Sequence, residues 1–161
     1  MLRVTRRCMA ASFIALTALA SPVAAAGPFA GYNGSWTGSG HIRLDDGKTE
    51  SLKCKAYYTP KDDGDAIGLA LRCASASNKI ELRAQLAADG SRVSGSWEER
   101  TFNASGSVSG EASSTHIKLA INGGGFTGSM SVTTSGANQS ISVTTQGGMA
   151  LRGISISMRR D

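Results

Sequence analysis

The stretch KIELRAQLAADGSRVSGSW, residues 79–97, decides how this chain is read. Ile80, Leu82, Ala84 and Leu86 alternate with Glu81, Arg83, Gln85 and Ala87; beyond Asp89-Gly90, Val93, Gly95 and Trp97 alternate with Ser94, Ser96 and Glu98. Period-two alternation marks a strand with one buried face, and Asp-Gly between two such runs marks a hairpin. As a two-residue turn, Asp89-Gly90 sets Leu86 opposite Val93, Ala84 opposite Gly95 and Leu82 opposite Trp97. Apolar then meets apolar across the ladder, as a buried face requires.

The same grammar runs outward in both directions and predicts ten strands. They lie near Ser35–Leu44, Thr49–Thr59, Ala66–Cys73, Lys79–Ala87, Arg92–Thr101, Ser105–Ala112, His116–Ile121, Phe126–Thr134, Gln139–Thr145 and Ala150–Arg160. Asp45-Asp46-Gly47 reads as a three-residue turn with Gly47 left-handed, which sets Trp36 opposite Ala56 and Gly40 opposite Leu52. Asn122 to Gly125 sets Leu119 opposite Gly128, Ser135 to Asn138 sets Val132 opposite Ile141, and Gly147-Gly148 sets Ile141 opposite Ile154. Only Trp97 to Val108 resists phasing, with a bulge or bend expected at Phe102-Asn103-Ala104.

One face therefore gathers Trp36, Leu52, Tyr58, Leu82, Trp97, Phe126, Ile141, Ile154 and their neighbours in phase, while the other is Ser, Thr, Lys, Arg and Glu. Ten strands with a single apolar face must cover that face, and closure also removes both sheet edges. An all-β, antiparallel up-and-down barrel is the expected fold, with a two-sheet sandwich as the alternative. Lys53, Lys55, Arg72, Glu81, Arg83 and Lys118 fall on the outward phase, the reverse of an outer-membrane barrel with its apolar band toward lipid.

The first 26 of the 161 residues read as a secretory leader: a basic start with Arg3, Arg6 and Arg7, an apolar run Met9–Ala20, and small residues up to Ala26. Cleavage is expected after Ala26, or after Ala25, by the general secretory route; Arg6-Arg7 keeps the twin-arginine route as the alternative. The remaining 27–161 form one expected domain. The apolar run is too short to span a bilayer, so no transmembrane segment is expected in the mature chain, and periplasm or secretion is the expected destination. The leader also takes three of the 17 cations; the 14 left against 12 acids give +2 rather than the +5 of the whole chain, and nucleic-acid binding loses its electrostatic basis.

Leader removal takes Cys8 and leaves Cys54 and Cys73 in a compartment where disulfides persist. Any even-length loop centred on Asp63-Gly64 places these two directly opposite, and a four-residue loop, Asp62 to Asp65, makes theirs a non-hydrogen-bonded pair, the closer kind. A metal site is the alternative, but neither His41 nor His116 has a suitable spacing to the cysteines.

Gly34-Ser35-Trp36 at the start and Met158-Arg159-Arg160 at the end resemble the signature of the calycin barrels, the lipocalin, fatty-acid-binding and avidin-like families. That resemblance implies that Trp36 closes one barrel end beneath Arg160, with Arg159 as substitute. Gly95-Ser96-Trp97 matches the first motif a second time. The chain also resembles small exported proteins of alphaproteobacteria through the Gly-Ser-Trp start, Leu71-Arg72-Cys73-Ala74-Ser75, Gly95-Ser96-Trp97-Glu98-Glu99 and the basic end, a resemblance that brings no known activity.

Signs of catalysis are few. His41 and His116 sit on the outward phase, as do most serines, so no nucleophile–base pair converges, and no enzyme, metal or cofactor is expected. Asp62-Asp63-Gly64-Asp65 lacks the alternating acids and distal Glu of a calcium loop. Glu99 and Arg152 are charges that fall on the inward phase. Glu99 is turned to water by a bulge, or it is inside and paired with Arg152, because an unpaired interior charge costs several kcal/mol. The expected function is binding of a small apolar or amphipathic molecule inside the barrel, touched by Trp36, Tyr58, Trp97 and Phe126, with Arg152 or Arg160 at a polar head. The alternative is an envelope protein with a filled core. The inward glycines Gly38, Gly40, Gly95, Gly106, Gly110 and Gly128 fit either reading, leaving space or letting strands coil tightly.

Overall fold

A computed structural model describes residues 26–148 and 150–161; the expected leader before Ala26 lies outside them. Ten antiparallel strands close into one barrel, each bonded to its sequence neighbours and β1 to β10. They are β1 (Gly34–Leu44), β2 (Thr49–Lys61), β3 (Ala66–Ala74), β4 (Lys79–Asp89), β5 (Arg92–Glu99), β6 (Ala104–Ala112), β7 (His116–Gly123), β8 (Phe126–Ser135), β9 (Asn138–Gly147) and β10 (Leu151–Arg160). The sandwich alternative is thereby set aside. Among the described residues no helix is long and apolar enough to cross a membrane.

Every residue assigned by phase to the apolar face is buried or packed against the buried cluster, from Trp36 and Leu52 through Leu82 and Trp97 to Ile154 and Met158. Lys53, Lys55, Arg72, Glu81, Arg83 and Lys118 are exposed on the outside. The apolar-face assignment therefore holds for these residues, whereas the registers are right at some hairpins and displaced at others.

Trp36 lies opposite Ala56, Gly40 opposite Leu52, Cys54 opposite Cys73 and Val132 opposite Ile141, as expected. At three hairpins the pairing is moved by two residues. Leu86 faces Gly95 and Ala84 faces Trp97, because the loop is Gly90-Ser91 and Asp89 still pairs with Arg92. Leu119 faces Met130 rather than Gly128, because the loop is Gly124-Gly125, and Ile141 faces Ile156 rather than Ile154. Gly90, Gly124 and Gly125 all have positive φ, the conformation that two-residue hairpin loops demand. A displacement of two preserves the face, and so the apolar interior survives it.

The inward glycines serve close approach. A Cβ at Gly38, Gly40, Gly106 or Gly110 would run into the backbone carbonyl of the neighbouring strand, at Ser157, Ser155, Asn122 and Lys118 respectively. Their absent side chains let adjacent strands coil against each other as a ten-stranded closure requires. Space inside the barrel comes from elsewhere.

Candidate functional site

The two barrel ends differ. At one end the chain enters through a 3-10 turn, Ala30–Tyr32, which lays Phe29 and Tyr32 across the opening, both with no exposed surface. The loop between β2 and β3 holds this segment, with Gly27 N–H donating to the Asp63 carbonyl and Phe29 N–H to the Gly64 carbonyl. Gly64 lies against Ala30 with φ of 95°, a place and a conformation that suit only glycine. Trp36, also fully buried, donates from Nε1 to the Tyr32 carbonyl at 3.2 Å. Arg160 lies opposite it on β10, its guanidinium 4.6 Å from the indole centroid and its NH2 group donating to the Gly31 carbonyl. Trp36 and Arg160 thus lock the entering segment onto this end.

Tyr58 forms the floor above this plug. Its ring packs 6.3 Å from Trp36 and 6.0 Å from Tyr32, and its hydroxyl donates to Gln139 Oε1 at 2.8 Å. Burial pushes the Tyr58 hydroxyl well above its ordinary value of 10.0; the nearby Tyr32 adds to the rise, and the bond to Gln139 opposes it. Burial likewise raises Tyr32, against a hydrogen bond with Thr134. An unfolded chain ionises its tyrosines near pH 10, while the barrel holds these two protonated, so stability is fully present below pH 10 and falls as pH rises toward the folded value. The slope expected from Tyr58 reaches about 1.4 kcal/mol per pH unit. Urea midpoints measured on either side of pH 10 should show Tyr58→Phe with the shallower alkaline decline; identical declines would refute the assignment.

Above Tyr58 the barrel is hollow. An apolar cavity of about 450 Å³ runs from Tyr58, Ile67 and Ile156 to the loops of the opposite end, where Asn78, Phe102, Gly124, Gly148 and Ala150 line it. Its walls carry Leu82, Trp97, Phe126, Met130, Ile141 and Ile154. Trp97 and Phe126 pack at 5.5 Å between centroids, below the Gly124-Gly125 turn. Phe102, 55% exposed, stands at the mouth.

Of the five candidate contacts, Tyr58, Trp97 and Phe126 line the cavity, whereas Trp36 lies outside its lining, in the plug. Arg152 is displaced from its expected inward position. The β1–β10 ladder slips between Arg43 and Leu44, so that Arg43 pairs with Gly153 and Leu44 with Leu151. Arg152 is the extra residue of this bulge: Leu151 takes the cavity wall, and the guanidinium donates to the Gly147 carbonyl at 3.1 Å. Ile154 stands opposite Val143.

Glu99 is inside, as one of its two expected placements had it, but Arg152 is not its partner. It closes β5 at 8% exposure, opposite Leu82, and each carboxylate oxygen accepts a backbone N–H at 2.7 Å, Oε1 from Glu81 and Oε2 from Phe102. The loop Arg100 to Asn103, with Asn103 at φ of 51° and Arg100 N–H bonded to the Glu81 carbonyl, turns the Phe102 amide back onto Glu99. This loop lies within the segment, Trp97 to Val108, that resists phasing. His41 and His116 are exposed on the outside, and among the described residues no group of three or more metal-ligating side chains occurs.

Sequence reasoning missed the plug. Phe29 and Tyr32, two bulky aromatics just before the first strand in a chain only 6% aromatic, were the available signal.

No protein-family model matches the sequence, and no curated protein matches it. Solved structures do match. The crystal structure of Rv2717c from M. tuberculosis is similar at a TM-score of 0.67 and 12% identity, over 81% of this chain and 93% of that one. The S-type phycobiliprotein lyase CPES from Guillardia theta is similar at 0.53 and 15% identity, over 83% and 90%. At these identities the likenesses concern the fold alone, a closed antiparallel barrel.

Proposed function

We propose that this protein is an exported, non-catalytic binding module that holds a small apolar or amphipathic molecule within its barrel. The observation that carries the reading is the apolar cavity of about 450 Å³, plugged at one end and reaching the loops at the other. Its size lies in the range of small-molecule sites, roughly 300 to 1,000 Å³, and a filled core would leave no such space. Export to the periplasm or beyond is supported by the basic and apolar leader and by the Cys54–Cys73 disulfide, since such bonds persist in oxidising compartments. The likeness to a phycobiliprotein lyase supports the reading through the fold alone.

The direct test is uptake of N-phenyl-1-naphthylamine, a neutral apolar dye whose emission rises out of water, together with native mass spectrometry of the protein purified from producing cells. Saturable dye uptake, and an adduct lost on denaturation, are expected. A bare mass with no dye uptake would return the protein to the alternative, an envelope protein acting through its Ser/Thr-rich outer face.

A further inference from the structure

The cavity lining, read residue by residue, is chemically one-sided. Among its described residues Glu99 is the one charged side chain; no lysine, arginine or histidine lines it. The polar remainder is largely committed. Tyr58 donates to Gln139, Thr145 donates to the Leu151 carbonyl, and the Asn78 amide donates to Ser77 and Glu50.

Neither of the two cations that a sequence reading would offer to an anionic head lines the cavity: Arg152 donates to the Gly147 carbonyl beside the mouth, and Arg160 lies over Trp36 at the plugged end. Glu99 differs. Each oxygen of a carboxylate has two acceptor positions, and each here accepts one N–H, so acceptor capacity remains on both oxygens. Glu99 also shares the cavity's loop end with Phe102, at the place where the head of an amphiphile lies once its tail has entered the apolar interior.

We infer that the cavity selects amphiphiles whose head donates hydrogen bonds, an amine or an alcohol, and rejects those with a carboxylate head, with Glu99 as the selecting residue. This rests on the binding reading above. A fatty-acid head would bring a second carboxylate toward Glu99 in a low-dielectric mouth with no lining cation to offset it, and like charges so placed repel. An ammonium or hydroxyl head meets an acceptor already fixed in place by two backbone amides, and charge-assisted bonds of this kind are the strong ones.

The test uses three probes of one chain length, decylamine, decanol and decanoate, each displacing N-phenyl-1-naphthylamine from the full-length protein near neutral pH. Decylamine and decanol are expected to bind about tenfold or more tightly than decanoate. Glu99→Gln, with its fold checked by circular dichroism, is expected to narrow that gap, each competition being referenced to the variant's own dye affinity. Decanoate binding as well as decylamine or decanol would overturn the head-group inference while leaving the binding reading intact. A gap unchanged in a folded Glu99→Gln would remove Glu99 as its cause. Should that variant fail to fold, the order of the three probes on the unaltered protein decides. If the dye itself is not taken up, the binding reading falls and this inference with it.

Discussion

Replacing Trp36 with alanine is expected to cost about 3 to 5 kcal/mol, the range for deleting a large buried aromatic. The indole has no exposed surface, packs on Tyr58, carries the Arg160 guanidinium on one face and holds the Tyr32 carbonyl through Nε1. Its removal leaves a void between plug and floor, an unpaired carbonyl and an arginine without its aromatic platform, so the losses act on one locus. Denaturant unfolding of Trp36→Ala against the parent measures the loss. Trp36→Phe should recover part of the packing but not the bond to Tyr32, and so fall between them. A Trp36→Ala midpoint within error of the parent would show that the plug is not held by this residue.

The second large effect concerns the disulfide. Cys54 and Cys73 face each other on β2 and β3 with Cα atoms 4.1 Å apart, both half-cystines buried, closing a loop of sequence separation 19. By the chain-entropy account such a ring contributes about 3 kcal/mol, chiefly by restricting the unfolded chain. For a barrel of this size that corresponds to a fall of roughly 10 °C in the thermal midpoint. The double replacement Cys54→Ser with Cys73→Ser, or unfolding under reductant, should show it. Non-reducing peptide mapping should join the two cysteine peptides, and free thiols or an unshifted midpoint would contradict the prediction.

The two effects also contrast in kind. The bridge joins neighbours that the β2–β3 ladder already pairs, so its loss should leave the fold as it is and lower its margin. The Trp36 change acts on the plug, and it should also open the floor under Tyr58. Dye release from Trp36→Ala would therefore rise relative to the cysteine variant, provided both remain folded at the working temperature.

Much of the molecule was legible in the residues alone. Alternation is a local property of an extended chain, so the inward set was assignable wherever strands run unbroken, and the cysteine pairing followed from the parity of a single loop. The cavity aromatics Trp97 and Phe126 were found in this way. Where alternation breaks, the reading broke too. Arg152 was placed inside because strict phase was carried through a bulge, and the partner of Glu99 was misjudged because free backbone amides, one in β4 and one in a turn, leave no mark on side-chain periodicity.

What the amino-acid order determined, then, is which apolar side chains face in, that a single apolar face must be covered, and which cysteines meet. What only the tertiary structure decided is the pairing to within two residues at the β4–β5, β7–β8 and β9–β10 hairpins, the plug of Phe29 and Tyr32, and whether the interior is filled or hollow. The physical reason is one of range. Sliding a strand by two residues changes neither its faces nor its local conformation, so neighbouring registers differ only in turn geometry and in packing across the barrel. Interior volume is likewise set by how tightly the strands coil around one another, a property of all ten together.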